Sequence, residues 1–313
     1  MLNDIIKPQY KYLAKLLVAF GLIAYLVYSC KPSLLVSTLA NINAGPGCLA
    51  FIMSFLFFLC GALNLWLLFR SIHHIPFGLF MHAYSYGYAV NLFTPGQLGD
   101  ISVAFVLKKY GIYYSRSTLA YAVDKIITLL FILIAGYIGA TCLLTQFSWP
   151  KWIFGIPLIC VLAAGALTWI LLYLPYDTGY LGRIRQLIRN IYAESLLWDK
   201  KVAAILLNVA LTIVKWLILS VTYYLAFLSF GIEAKWPEVG IIPIISTLVG
   251  YIPVSIGGIG TVELCAVYLF SLISIDRVYV IDVYIFLRAV AYLQAGAILG
   301  LYSWQYRRAR ARQ

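Results

Sequence analysis

Charged residues are scarce in this sequence. Of its 313 residues only 11% are charged and 63% are hydrophobic, whereas a typical soluble domain is about 45–50% apolar. No hydrophilic stretch is long enough to fold as a separate globular domain. This composition excludes an ordinary soluble enzyme or binding domain and predicts an integral membrane protein.

Motifs of metal sites and of soluble enzymes are also missing. The six cysteines are scattered, and the three histidines lack ligand partners at the spacing of a metal site. The sequence contains no G-x-S-x-G, no H-E-x-x-H and no P-loop, and its G-G-x-G run lacks the strand context of a dinucleotide fingerprint. We therefore expect no metal and no cofactor, and interpret the cysteines as small packing residues.

The charges that are present are mostly positive, with a formal net charge of +12. In a chain this apolar, the excess indicates loops that face anionic lipid rather than nucleic-acid binding. If the N-terminus is cytoplasmic, most of the 23 Lys and Arg residues fall on the inside. The positive-inside rule then predicts a multi-pass protein of the cell membrane with both termini in the cytoplasm.

Apolar segments of about 20 residues, the length that a helix needs to cross a bilayer, recur along the whole chain. They predict an all-α polytopic protein, a single transmembrane domain over 1–313, with six full spans at about 12–30, 48–70, 117–145, 150–174, 202–230 and 279–303. No cleavage site is evident after the first run, which we interpret as a span rather than a signal peptide. Apolar residues at helical spacing predict a cytoplasmic amphipathic helix within 181–200.

Two further apolar segments, about 77–110 and 239–275, are interrupted by proline and glycine. The interruptions are the runs Asn91–Asp100 and Val249–Glu263. A helix does not continue through them, because proline removes a backbone donor and glycine favours other conformations. Broken backbone at membrane depth is tolerated only where it is buried or lines a wet cavity. Each segment is therefore predicted to be a re-entrant pair of short helices, and the two breaks to face each other.

The order of elements repeats along the chain. Residues 1–146 contain two spans, a hairpin and a span, and residues 150–304 contain the same series starting from the opposite side of the membrane. This pattern predicts inverted-topology repeats, whose discontinuous helices meet near the midplane and build a substrate site.

Ionisable residues in the spans and at the breaks are the candidate ligands. In each half an acid at the hairpin is followed 25 residues later by a cation, Asp100 by Lys125 and Glu263 by Arg288. A charge at the centre of a span costs roughly 2.5–3.5 kcal/mol and is usually paired or functional. The predicted substrate-binding set adds Asp124 and residues of the two breaks, namely Pro95, Gly96, Gly99, Pro253, Gly257, Gly258 and Gly260.

The roles of these residues have alternatives. Lys125 and Arg288 are either structural or ligands. Arg288 is the favoured phosphate ligand, because its planar fork grips a phosphate through two hydrogen bonds and stays charged. Asp100 and Glu263 are either helix caps or holders of the cations in an empty site, which they release to an incoming phosphate. Asp124 is either functional or pins helices together by neutralising a neighbouring cation.

Four runs, FTPGQLGD, AVDKIITLL, IPVSIGGIGTVE and FLRAVAYLQAGAILG, occur in an order and spacing that resemble the lysylphosphatidylglycerol synthase transmembrane family, over essentially the whole chain. Members often have Glu where this chain has Asp100. The resemblance implies a membrane protein that moves anionic or modified lipids, or lipid-linked sugars, between leaflets. The cytoplasmic lysyl-transfer domain of the fused members is missing here, so lysyl transfer is not expected.

The sequence thus predicts a lipid flippase or transporter rather than an enzyme, with a phosphate-bearing membrane lipid as its ligand. One alternative is an integral-membrane enzyme that acts on polyprenyl-phosphate-linked sugars with Asp100 or Glu263 as general base. The other is an ion- or proton-coupled carrier of small solutes that uses Asp124. The sequence does not decide whether the chain forms a homo-oligomer.

Overall fold

A computed structural model describes residues 40–94, 99–108, 114–143, 149–173 and 201–310, together with a few isolated positions. All regular elements in this part of the chain are helices, as predicted. In chain order they are α1 (Ala44–Ile72), α2 (Phe77–Phe93), α3 (Gly99–Lys108), α4 (Tyr114–Leu143), α5 (Trp149–Tyr173), α6 (Lys201–Ser229), α7 (Trp236–Gly250), α8 (Thr261–Ser271) and α9 (Arg277–Arg310).

Five of the described helices, α1, α4, α5, α6 and α9, are long and apolar enough to cross a membrane. Their bounds lie within a few residues of the predicted spans after the first, except that α9 continues seven residues beyond its predicted end. The predicted first span, 12–30, and the predicted amphipathic helix within 181–200 lie outside the described ranges. The chain is therefore a multi-pass helical membrane protein.

The two broken segments form shorter helices. The first contains α2, of 17 residues, and α3, of 10 residues; the second contains α7, of 15 residues, and α8, of 11 residues. At about 1.5 Å per residue even α2 reaches only about 26 Å, less than the roughly 30 Å hydrocarbon core. Within each segment the two short helices pack on each other. The predicted interruption of both segments is thus confirmed.

Glycine geometry explains the second break. Gly257, Gly258 and Gly260 have φ angles of 57°, 70° and 82°, in the left-handed region that residues with a Cβ rarely adopt. Gly260 is the N-cap of α8, and a Cβ on Gly258 would lie 2.8 Å from Val262 Cγ2. The backbone therefore turns here only because these positions lack side chains.

Each broken segment packs into its own apolar core. One core joins α7 and α8 to α6 and α9, with Phe227 and Phe270 buried and their ring centroids 4.9 Å apart. The other joins α2 and α3 to α1, with Leu68, Phe80 and Leu107 fully buried. Apolar packing therefore holds the short helices in place and presents their connecting turns to the rest of the bundle.

Large apolar side chains also cover the outside of the bundle. On α5, Trp152 and Ile159 are 66% and 65% exposed. An apolar outer surface of this kind suits contact with lipid chains rather than with water.

Candidate functional site

The two broken segments touch each other. The Gly257 amide donates a hydrogen bond of 3.0 Å to the Thr94 carbonyl, at the end of α2. A Cβ on Gly257 would lie 2.6 Å from the carbonyl oxygen of Leu92, and the Tyr292 hydroxyl on α9 donates to the same oxygen over 3.5 Å. The Gly99 amide, at the start of α3, donates to Thr94 Oγ1 over 3.1 Å. A glycine in the second break thus allows the backbones of the two broken segments to meet.

Glu263 and Arg288 form a buried ion pair behind this contact. Glu263, in the first turn of α8, is 4% exposed. Its Oε2 accepts a 2.7 Å hydrogen bond from the Gly260 amide, and its Oε1 accepts a 2.7 Å bond from Arg288 Nε. Arg288 Nη1 donates to the Gly257 carbonyl over 2.8 Å. Glu263 is therefore both a cap of α8 and a counter-ion of Arg288, two roles that sequence reasoning treated as alternatives.

The guanidinium of Arg288 retains unused donors. Its Nε and Nη1 bind Glu263 and Gly257, whereas Nη2 donates to no acceptor within the described part of the chain. The side chain is 23% exposed and lines a cavity. Arg288 can therefore bind a ligand through Nη2 while the ion pair stays intact.

The cavity has a volume of about 340 Å³ and is lined by residues of α1, α2, α4, α6, α7, α8 and α9. Three cations line it, Arg288, Lys125 and Lys215, and no Asp or Glu is found among its described lining residues. Small-molecule sites occupy about 300–1,000 Å³, so the space suits a headgroup-sized ligand. Converging cations in a low-dielectric surrounding favour an anion.

Aromatic rings accompany the two lysines. Lys125 Nζ lies 5.5 Å from the centroid of the Tyr121 ring and 6.0 Å from that of Tyr251. Lys215 Nζ lies 5.8 Å from the ring centroid of Trp216. Ring faces attract ammonium groups, so these aromatic rings stabilise the two lysine side chains beside the cavity.

Asp124 lies in a separate polar cluster that joins α1, α4 and α6. Asn208 Nδ2 donates to Asp124 Oδ1 over 3.0 Å and to Asn64 Oδ1 over 2.9 Å. Asn64 Nδ2 donates to Thr212 Oγ1 over 3.0 Å and approaches Asp124 Oδ1 to 3.5 Å. No described Lys or Arg forms an ion pair with Asp124. Hydrogen bonds with amides therefore link Asp124 to two other helices, because α1 and α6 bring Asn64 and Asn208 to this place. The predicted neutralisation of a neighbouring cation stays a prediction.

The remaining predicted site residues have other positions. Pro253 is exposed and does not line the cavity. Residues 95–98, which include Pro95 and Gly96, lie outside the described ranges, as does the side chain of Asp100 at the start of α3. The predicted pairing of Asp100 with Lys125 therefore stays a prediction.

Sequence analysis assigned no role to Lys215, Asn64 or Asn208. The available signal was polarity within an apolar helix: Lys215 is the one cation in the interior of α6, and the two asparagines lie in the middle of α1 and α6. Polarity alone does not tell which helices these side chains face, so the signal was incomplete.

The chain is thus a multi-pass helical membrane protein whose broken helices lie around a cavity lined by three cations. The lysylphosphatidylglycerol synthase TM region matches residues 12–299, and the chain belongs to that family. The resemblance found in the four sequence runs is thereby confirmed, and it links the protein to lipid metabolism or transport. No curated protein and no solved structure matched significantly.

Proposed function

We propose that the protein is a lipid flippase or transporter that moves an anionic lipid between the leaflets of the cell membrane. The candidates are an anionic phospholipid, a modified lipid and a lipid-linked polyprenyl-phosphate sugar, which share a phosphate group. The observation that supports this proposal most directly is the cavity with three cations and no acid among its described lining residues. Family membership supports the lipid as the carrier of the anion.

In this proposal the headgroup phosphate binds Nη2 of Arg288 and the ammonium groups of Lys125 and Lys215. Because Nε and Nη1 of Arg288 hold Glu263 and Gly257, the guanidinium is fixed in position before the ligand arrives. A fixed donor loses little conformational entropy on binding. The acyl or prenyl chains stay in the bilayer, next to the apolar outer surface of the bundle.

Movement of the ligand requires the cavity to open to each side in turn. In the proposed architecture, 1–146 and 150–304 are inverted halves and each broken segment is a re-entrant hairpin. Their described turns touch through the bond from Gly257 to Thr94. Rocking of the hairpins breaks this hydrogen bond and gives alternating access around a fixed ligand site.

The geometry of Glu263 supports transport over the enzyme alternative. Each of its oxygens accepts a short hydrogen bond, one from Gly260 and one from Arg288. A general base needs an oxygen that can reach the proton of a substrate. Glu263 has both oxygens occupied by the protein itself, as a positioning group would.

The test is retention and movement of lipid by Arg288→Gln. Lipids that copurify with wild type and variant are quantified by mass spectrometry, and movement of fluorescent phosphatidylglycerol is followed in proteoliposomes. Phosphate-bearing lipid should be enriched over the membrane background in wild type and reduced to background in the variant. Arg277→Gln is the matched control, because this exposed arginine on the same helix does not line the cavity. Equal lipid retention in both variants contradicts the proposed site.

A further inference from the structure

Two neutral polar atoms of residues that line the cationic cavity lack a hydrogen-bond partner. They are Trp216 Nε1 on α6 and Thr128 Oγ1 on α4, and both are buried and unpaired within the described part of the chain. The two residues are 3% and 2% exposed. Buried polar atoms are rarely left unpaired, because they lose their hydrogen bonds to water without a replacement. A ligand in the cavity can supply the missing partner.

Each of these atoms accompanies one of the cavity lysines. Trp216 follows Lys215 directly, and Lys215 Nζ lies 5.8 Å from the centroid of the Trp216 ring. The same ring stacks with that of Phe131, with the centroids 6.0 Å apart. Thr128 follows Lys125 by three residues, which places both on one side of α4. A neutral hydrogen-bonding group thus lies next to each lysine that the proposed function assigns to the phosphate.

Most nitrogen-bearing side chains of the cavity are hydrogen-bond donors only. Arg288, Lys125 and Lys215 donate hydrogen bonds and accept none, and the indole of Trp216 has the same limitation. Asn91 is the exception among the described lining residues. Donors of this kind bind oxygen atoms. An ammonium group of a ligand also only donates and is repelled by the cations, so it is disfavoured beside them.

Hydroxyl groups add acceptors to the same lining. Thr222 Oγ1 and Thr247 Oγ1 donate to main-chain carbonyls of their own helices, each over 2.8 Å, so each oxygen keeps acceptor capacity only. Thr128 Oγ1 is able both to donate and to accept. A hydroxyl group of a ligand also donates and accepts, so it can pair with the Trp216 indole and with a threonine oxygen at once. Glycerol and sugar headgroups carry such hydroxyl groups next to a phosphate.

We infer that Trp216 and Thr128 form a neutral subsite that binds a hydroxyl group of the headgroup, an inference that rests on the proposed function. The transported lipid then carries a phosphate and an uncharged, hydroxyl-bearing group, and a headgroup with an amine is disfavoured. Among the candidate lipids, phosphatidylglycerol and a polyprenyl-phosphate sugar share this chemistry. Because both polar atoms are buried, the headgroup reaches them through side-chain rotations at the cavity wall, a common change on binding.

The test measures binding of short-chain lipids to the purified full chain by native mass spectrometry. Phosphatidylglycerol is compared with phosphatidylmethanol, which has the same charge and no hydroxyl group in its headgroup, and with phosphatidylethanolamine, which carries an amine. Wild type should bind phosphatidylglycerol about twofold to tenfold more tightly than phosphatidylmethanol, the effect of about one hydrogen bond, and phosphatidylethanolamine more weakly than either. A polyprenyl-phosphate hexose and the methyl ester of the same polyprenyl phosphate repeat the comparison, and the larger hydroxyl preference identifies the source of the headgroup.

Two variants assign the preference to the subsite. Trp216→Phe keeps an aromatic ring beside Phe131 and removes the Nε1 donor, so it should reduce the ratio of the two affinities by at least about twofold. Thr128→Val nearly preserves the shape of the side chain, should act in the same direction, and serves alone if Trp216→Phe does not fold. Trp169→Phe is the matched control, because Trp169 on α5 is 64% exposed and does not line the cavity, and it should keep the wild-type ratio.

The outcomes separate this inference from the proposed function. Equal affinity of wild type for the hydroxyl-bearing and methyl forms of both lipids overturns the subsite, while their binding leaves the proposed function standing. Binding of phosphatidylethanolamine as tight as that of phosphatidylglycerol overturns the selection against amines. A hydroxyl preference that survives in every folded variant of Trp216 and Thr128 excludes these residues from the subsite. If no anionic lipid binds more tightly than diacylglycerol, which lacks a phosphate, the proposed function is refuted together with the inference.

Discussion

Replacing Glu263 by Gln separates its two structural roles. Gln is nearly isosteric and, like Glu, is common at the third position of a capping box, so a residue that only caps α8 should tolerate the change. The charge of Arg288, however, loses its counter-ion. Since Glu263 Oε1 and Oε2 accept from Arg288 Nε and the Gly260 amide, one of these donors then faces the NH₂ group of the new side chain.

The magnitude follows from burial. Removing one partner of a buried pair costs about 3–5 kcal/mol, and leaving one donor unsatisfied costs about 1–3 kcal/mol. Because Arg288 is 23% exposed and recovers some hydration, we expect a loss of about 2–4 kcal/mol in the free energy of unfolding. At about 2 °C per kcal/mol, the melting temperature should fall by about 4–8 °C.

The assay is thermal unfolding in detergent, followed by intrinsic fluorescence. Glu238→Gln is the matched control, since Glu238 pairs with the exposed Lys235 at 3.8 Å and such surface pairs contribute about 0–1 kcal/mol. Glu263→Gln combined with Arg288→Gln should be less destabilising than the sum of the two single changes, because the pair is removed together. A melting temperature of Glu263→Gln within about 1 °C of the control, where less than about 1 kcal/mol is lost, would refute the counter-ion role.

Two further changes test, respectively, the contact between the two broken segments and the cations of the cavity. Gly257→Ala places a Cβ on a residue with φ +57°, 2.6 Å from a main-chain oxygen of α2, so it should lower the free energy of unfolding by at least about 1–2 kcal/mol and slow lipid movement. Gly165→Ala is the control, because its Cβ would meet nothing within 4 Å, and it should leave the melting temperature and lipid movement near wild type. Equal melting temperatures of the two variants contradict the reasoning. Lys215→Gln removes one of three cavity cations, so retention of phosphate-bearing lipid, measured by mass spectrometry, should fall while retention of neutral lipid stays constant. Lys201→Gln, at the start of the same helix, is the control and should change neither quantity. An unchanged lipid profile in Lys215→Gln excludes this lysine from the site.

Local sequence features were sufficient to predict the class of the protein and most of its helices. The length of an apolar run sets whether a helix can span a bilayer, and proline and glycine interrupt a helix wherever they occur. For this reason the spans from 48–70 onward and both breaks were predicted from the sequence. The inverted repeat depends on orientation in a membrane, so it stays a prediction.

The spacing of acids and cations gave one further result. The 25-residue interval between Glu263 and Arg288 indicated that the two residues form a pair, and the structure places them in contact. The interval by itself does not predict how far apart the two side chains lie. Glu263 reaches Arg288 because the turn at Gly257 to Gly260 directs the first turn of α8 toward α9.

Only the tertiary structure decided which residues distant in the chain lie close together in the fold. Asn64 and Asn208 lie 60 and 84 residues from Asp124 in the chain, and nothing in their local sequence indicates that α1, α4 and α6 meet there. Lys215 lies near Lys125 and Arg288 only because helices that are distant in the chain surround one cavity. The sequence by itself determined where helices begin, break and end, because these positions depend on neighbouring residues. The packing of whole helices determined the partners of each polar side chain, because those contacts join side chains far apart in the chain.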